Sequence, residues 1–275
     1  MQYRHHTKKI KECNENLSID FGLCFIFCFI YVKIETSICE RKYIMIINGF
    51  QKLTLLDYPG RVACTIFTAG CNMRCPFCHN ASLVTHIDTD NTIIPEEILD
   101  YLEKRQGILE GVCITGGEPL LQPDIKKFIA EIKSLGYSVK LDTNGTFPEK
   151  LKELVNEGLV DYVAMDIKNS KAKYMQTAGI NNLDLLKIEE SVDFLINGNI
   201  DFEFRTTIVN EFHTVEDIQD IVVWIRGAHK YFLQNFVDSG DLIGQDLNPV
   251  TLDTLRVMRE KATEIIPNVE LRGIS

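Results

Sequence analysis

Residues 62–80 read Val62-Ala63-Cys64-Thr65-Ile66-Phe67-Thr68-Ala69-Gly70-Cys71-Asn72-Met73-Arg74-Cys75-Pro76-Phe77-Cys78-His79-Asn80. Val62–Phe67 is apolar and partly β-branched, which predicts a buried strand ending in the Thr68-Ala69-Gly70 turn. Three cysteines follow at C-x₃-C-x₂-C spacing, so the thiols lie in a loop directly after the strand. A short loop bearing three thiolates can wrap one corner of an iron–sulfur cube. An ordinary [4Fe–4S] cluster takes four cysteines; three leave one iron open, as a catalytic metal site requires. Structural zinc would want a fourth ligand, and His79 adjoins Cys78 too closely for an easy tetrahedron. A redox pair would explain Cys75 and Cys78 but leave Cys71 over. Cys64, inside the strand, reads as core.

Outward from this loop the chain alternates. Strands are predicted at Gly111–Thr115, Ser138–Leu141, Tyr162–Ile167, Phe202–Val209 and Tyr231–Phe236, with a short terminal one at Val269–Leu271. Helices are predicted at Pro95–Gln106, Asp124–Leu135, Glu149–Asn156, Leu183–Ile196, Val215–Arg226 and Leu252–Ile265. Asp124–Leu135 shows the clearest stripe: Ile125, Phe128, Ile129, Ile132 and Leu135, closed by Gly136. Strand–helix alternation implies a parallel α/β sheet. Six units are too few for a closed eight-fold barrel and fit an open, partial barrel or a doubly wound sheet. In either, ligands bind at the carboxyl ends of the strands.

The chain of 275 residues carries a net charge of −10, which argues against binding nucleic acid through phosphate neutralisation. Its nine cysteines all precede residue 114. Residues 1–44 differ from the rest: seven Lys/Arg stand against five Asp/Glu there, leaving −12 for residues 45–275. Within them, Phe21–Val32 is apolar but only a dozen residues long, short of the roughly 20 that span a membrane. Cys24 and Cys28 share a helical face, which is weak ground for a metal. Residues 1–44 read as an atypical extension that does not belong to the working enzyme, with an anchor or targeting segment as the alternative, and residues 45–275 as one domain. No membrane association is expected, and a cytoplasmic location is.

The motif C-x₃-C-x-Φ-C, with Phe77 as the aromatic, resembles that of the radical S-adenosylmethionine superfamily. The resemblance runs over residues 45–275 and is closest to activating enzymes of glycyl-radical enzymes. The opening Gly49-Phe50-Gln51-Lys52-Leu53-Thr54-Leu55-Leu56-Asp57-Tyr58-Pro59-Gly60 resembles a longer variant of the anaerobic ribonucleoside-triphosphate reductase activating proteins. Pyruvate formate-lyase activating enzymes share several of the other motifs.

The resemblance implies a partial (β/α)6 TIM-like barrel with outer helices, a [4Fe–4S] cluster on Cys71, Cys75 and Cys78, and bound S-adenosylmethionine. It implies cofactor contacts from Phe77, Asn80, the Gly116-Gly117-Glu118 turn, Asp142, Asn144, Asp166 and Arg205. Glu118 would accept from the methionine ammonium, and Arg205 would meet the carboxylate. A monovalent cation is implied at Asp142, Thr143 and Asp166, and Lys168 falls near the peptide substrate. Val237 stands where pyruvate formate-lyase activators carry a histidine directed at the ribose, so that contact must come from elsewhere. The implied reaction passes one electron to the sulfonium, releases methionine and a 5′-deoxyadenosyl radical, and takes hydrogen from a glycine of a partner protein. The partner implied is the anaerobic ribonucleotide reductase catalytic subunit, with a flavodoxin- or ferredoxin-like electron donor. Another glycyl-radical enzyme, a small-molecule substrate, or a non-catalytic zinc or redox module are the alternatives.

Overall fold

The computed structural model describes residues 43–274, and the expectations for residues 1–42 lie outside them. Met45–Ser275 form one compact unit. Its strands are β1 (Ile47–Thr54), β2 (Ala63–Thr68), β3 (Gly111–Gly116), β4 (Ser138–Thr143), β5 (Tyr162–Asp166), β6 (Asp201–Ile208), β7 (Tyr231–Asn235) and β8 (Val269–Arg272). Its helices are α1 (Ala81–Thr85), α2 (Pro95–Glu103), α3 (Ile125–Ser134), α4 (Pro148–Asn156), α5 (Tyr174–Ala178), α6 (Leu185–Asn197), α7 (Val215–Trp224) and α8 (Leu252–Thr263).

The eight strands form one sheet in sequence order. β1 runs antiparallel to β2, and every later neighbour pair is parallel. Among the described residues β1 and β8 have no pairing with each other, so the curved sheet is an unclosed α/β barrel. The predicted strands and long helices are all present within a few residues. The departures are β1 and the short helices α1 and α5; the short terminal strand expected at Val269–Leu271 is β8, the seventh strand of the parallel set.

Local chemistry sets the helix boundaries. Proline opens α2 and α4, where its missing N–H costs nothing. Thr214 and Asp217 form a reciprocal capping box on α7, and the Thr251 hydroxyl accepts from the Thr254 N–H at the start of α8. α3 buries Ile125, Phe128, Ile129 and Ile132. Each such side chain stabilises the fold by about 1.5–3 kcal/mol relative to exposure. Cys64 is fully buried in β2, as expected of a core residue. Among the described residues, no helix is long and apolar enough to cross a membrane.

Candidate active site at the carboxyl ends of the strands

Because β2 to β8 are parallel, their carboxyl ends share one rim, and a cavity opens there. It is lined by Cys71, Cys75, Phe77, Cys78 and Asn80 from the loop after β2, and by Gly116 and Gly117 at the end of β3. Asp142, Thr143 and Asn144 come from the end of β4, Asp166 and Lys168 from β5, and Arg205 from β6. Thus thirteen of the fourteen residues expected at the site share one cavity; Glu118 does not line it.

The cysteine loop is anchored on several sides. The Gly70 N–H donates to the Leu83 carbonyl at 2.8 Å, and the Arg74 N–H to the Ala178 carbonyl at 2.9 Å. The Gly244 N–H donates to the Pro76 carbonyl at 2.7 Å. The Gly116-Gly117-Glu118 turn docks on the same loop: Gly117 N–H donates to the Thr68 carbonyl and Glu118 N–H to the Gly70 carbonyl, both at 2.8 Å. Asn80 Nδ2 donates back to the Gly116 carbonyl at 3.1 Å. Glycine is required at this junction because a Cβ on Gly117 would lie 1.9 Å from the Gly70 carbonyl oxygen, and one on Gly116 2.3 Å from that of Thr68.

The thiols suit a cluster. Burial pushes Cys75 up to about 12 and raises Cys71 and Cys78 as well. Metal must therefore displace protons from three thiols, one buried and two half-buried, as it binds. N–H donors already face the sulfur that would become a thiolate: Met73 N–H lies 3.4 Å and Asn144 Nδ2 3.8 Å from Cys71 Sγ. Among the described residues no three His, Cys, Asp or Glu side chains form a site for a single metal ion. A cube differs from an ion in offering a separate iron to each sulfur, so three thiols spread around one cavity fit it. Cys64 and Cys113 are buried in β2 and β3 and do not line this cavity.

Glu118 is fully buried, and its carboxylate braces the rim. It accepts from the Leu120 N–H at 3.1 Å, the Thr143 hydroxyl at 2.9 Å and the Asn144 N–H at 2.7 Å. Burial pushes its carboxyl up to about 7 against those donors. Its oxygens tie the end of β3 to the end of β4.

A ladder of charges crosses the strands beneath the rim. Arg205 stands in register beside Asp166. Its Nε donates to Asp166 Oδ1 at 3.0 Å and its Nη1 to Asp142 Oδ2 at 3.1 Å. Lys168 Nζ meets Asp166 Oδ2 at 3.0 Å, and Lys140 Nζ makes a close contact with Asp142 Oδ1. Burial penalises both carboxylates, yet Arg205 above all holds them below their ordinary range. Burial likewise opposes the Lys168 charge, and Asp166 outweighs it, keeping the ammonium protonated well above its usual range.

Sequence reasoning missed Lys140, Thr207 and Gln234, and weighed His79 only as a zinc ligand. The last three line the cavity, and the His79 ring stacks on Phe236 with centroids 5.8 Å apart. Val237, by contrast, is 56% exposed. Only the spacing of Gln234 from the strand end, and of Lys140 two residues before Asp142 on the same strand face, could have signalled them.

Comparison with known proteins agrees with this geometry. The family model for the radical SAM superfamily matches residues 65–228. A Methanocaldococcus jannaschii protein, whose name places it among glycyl-radical enzyme activating enzymes, is 34% identical over 244 residues, covering 84% of this chain and 97% of that protein. A Staphylococcus aureus pyruvate formate-lyase-activating enzyme is 31% identical over 153 residues, 51% of this chain and 60% of that protein. Among solved structures, Streptococcus suis SuiB bound to its precursor peptide superposes with a TM-score of 0.62 at 16% identity, covering 76% of this chain and 48% of that one. TYW1 with a lysine–pyruvate adduct gives 0.53 at 15% identity, covering 74% of each chain. At such identities the structural likeness speaks for the fold alone. The family's cofactors are a [4Fe–4S] cluster and S-adenosylmethionine, and this chain belongs to the radical SAM superfamily, among the activating enzymes of glycyl-radical enzymes.

Proposed function

We propose that this enzyme installs a glycyl radical on the catalytic subunit of the anaerobic ribonucleoside-triphosphate reductase. The observation that carries the reading is the meeting of three thiols with polar groups from successive strand ends in one cavity, with no fourth cysteine there among the described residues. When bound, the cluster supplies the electron that cleaves S-adenosylmethionine reductively, drawn from a flavodoxin- or ferredoxin-like donor. Cys71, Cys75 and Cys78 hold it and leave one iron for the cofactor. Arg205 and Lys168 present positive charge toward the cofactor and the approaching glycine loop. Phe77, buried against Phe212 at 5.9 Å between ring centroids, keeps the third cysteine's side of the cavity dry. Among the described residues the barrel is unpaired between β1 and β8, and that side would leave a protein loop a way in that a small substrate would not need.

Two features favour the reductase as partner: the Gly49–Gly60 segment, and Val237 in place of the histidine of pyruvate formate-lyase activators. The Staphylococcus aureus relative favours the alternative, an activator of pyruvate formate-lyase. The test is to mix the reduced, iron-loaded protein with S-adenosylmethionine and each candidate in turn. Electron paramagnetic resonance is expected to show a glycyl doublet on the reductase subunit, collapsing when the partner's glycine is deuterated at Cα. A doublet on pyruvate formate-lyase alone would transfer the assignment. Release of 5′-deoxyadenosine with no protein radical on either would refute both.

A further inference from the structure

The monovalent cation implied at Asp142, Thr143 and Asp166 does not fit the arrangement found there. All four carboxylate oxygens are engaged: Asp142 by Lys140 and Arg205, Asp166 by Arg205 and Lys168. The Thr143 hydroxyl donates to Glu118 and accepts from the Gly145 N–H at 3.1 Å. Three cationic side chains thus share two carboxylates, and every carboxylate oxygen that would face a further cation already faces a protein cation. The least expected of the three is Lys140. It is only 2% exposed, in the middle of β4, where a lysine is costly to bury without a partner. Its other polar neighbour is the Cys113 thiol at 3.8 Å.

We propose that the Lys140 ammonium takes the place of the bound monovalent cation, so that cofactor binding in this enzyme is independent of potassium and sodium. Lys140 does not line the cavity. It acts through Asp142, whose second oxygen holds Arg205 at the rim, and is therefore a positioning residue. Removing its charge frees Asp142 Oδ1 and leaves two cations for two carboxylates, which restores room for an ion. This rests on the reading above that the cofactor carboxylate meets Arg205.

The test exchanges the salt. The dissociation constant of S-adenosylmethionine from the iron-loaded enzyme is measured by equilibrium dialysis in potassium, sodium or tetramethylammonium chloride at equal ionic strength. For the unaltered protein the three values are expected to agree. Lys140→Met, close in shape but neutral, is expected to bind about tenfold more weakly in tetramethylammonium and to recover in potassium or sodium, as the loss of one charge-assisted contact predicts. A merely structural lysine would give no recovery by salt. A second arm needs no cofactor: the sodium NMR linewidth is expected to stay flat with the unaltered protein and to broaden saturably with Lys140→Met. Affinity of the unaltered enzyme that falls without potassium or sodium, or saturable sodium broadening by it, would overturn the proposal. Failure to bind S-adenosylmethionine in every salt would refute the reading of the site instead, while the sodium measurement would still decide the place of Lys140.

Discussion

Changing any one of Cys71, Cys75 or Cys78 to Ala is expected to abolish both the intact cluster and S-adenosylmethionine cleavage. The three are not redundant, because each would hold a different iron and, among the described residues, no spare thiol lines the cavity. Cys64 and Cys113 are fully buried and sit on strands, so neither can swing into the loop without unfolding it. Cys64→Ser and Cys113→Ser are therefore expected to retain full iron and acid-labile sulfide per chain. These two quantities, with the visible absorption of the reconstituted protein, check the prediction. Iron lost from Cys64→Ser while the fold is intact would mean a four-cysteine site.

Gly117→Ala is expected to be nearly as damaging, through the backbone rather than a ligand. The added methyl would meet the Gly70 carbonyl oxygen at 1.9 Å, at the point where the β3 turn supports the start of the cysteine loop. Neither backbone can yield without breaking the paired Gly117–Thr68 and Glu118–Gly70 hydrogen bonds. The expected cost is about 3 kcal/mol, a fall in melting midpoint of roughly 6–12 °C, together with poor cluster loading. Gly136→Ala is the control. Gly136 also has a positive φ, +91°, but a methyl there would meet nothing within 4 Å. It is expected to cost only the backbone strain, roughly 1–3 kcal/mol, and to load iron normally. Normal loading of Gly117→Ala would show that the turn does not support the loop.

The parallel sheet and the cysteine loop were legible because their signals are local. Apolar runs between amphipathic helices mark parallel strands, and a C-x₃-C-x₂-C loop after the first of them marks the rim. β1 was not legible. It is an antiparallel edge strand whose middle, Gln51, Lys52 and Leu53, is exposed, so neither alternation nor an apolar run announces it. Lys140 was hidden for the opposite reason. A lysine in a strand reads as a solvent-facing position, whereas here the strand face points into the barrel toward Asp142. Glu118 shows a further limit: its place in the turn was readable, but whether its oxygens meet a ligand or the neighbouring strand depends on how β3 and β4 lie together. Even the loss of a histidine at Val237 told only what was missing. That His79 and Gln234 face the cavity follows from the folding of two segments more than 150 residues apart.

We propose that Cys71, Cys75 and Cys78 hold a [4Fe–4S] cluster with one iron left for S-adenosylmethionine. Mössbauer spectra of the iron-loaded protein, recorded without and with S-adenosylmethionine, test it most directly. The cofactor is expected to change the signal of a single iron and leave the others as they were. Spectra indifferent to the cofactor, or a protein that takes up zinc in place of a cluster, would contradict it.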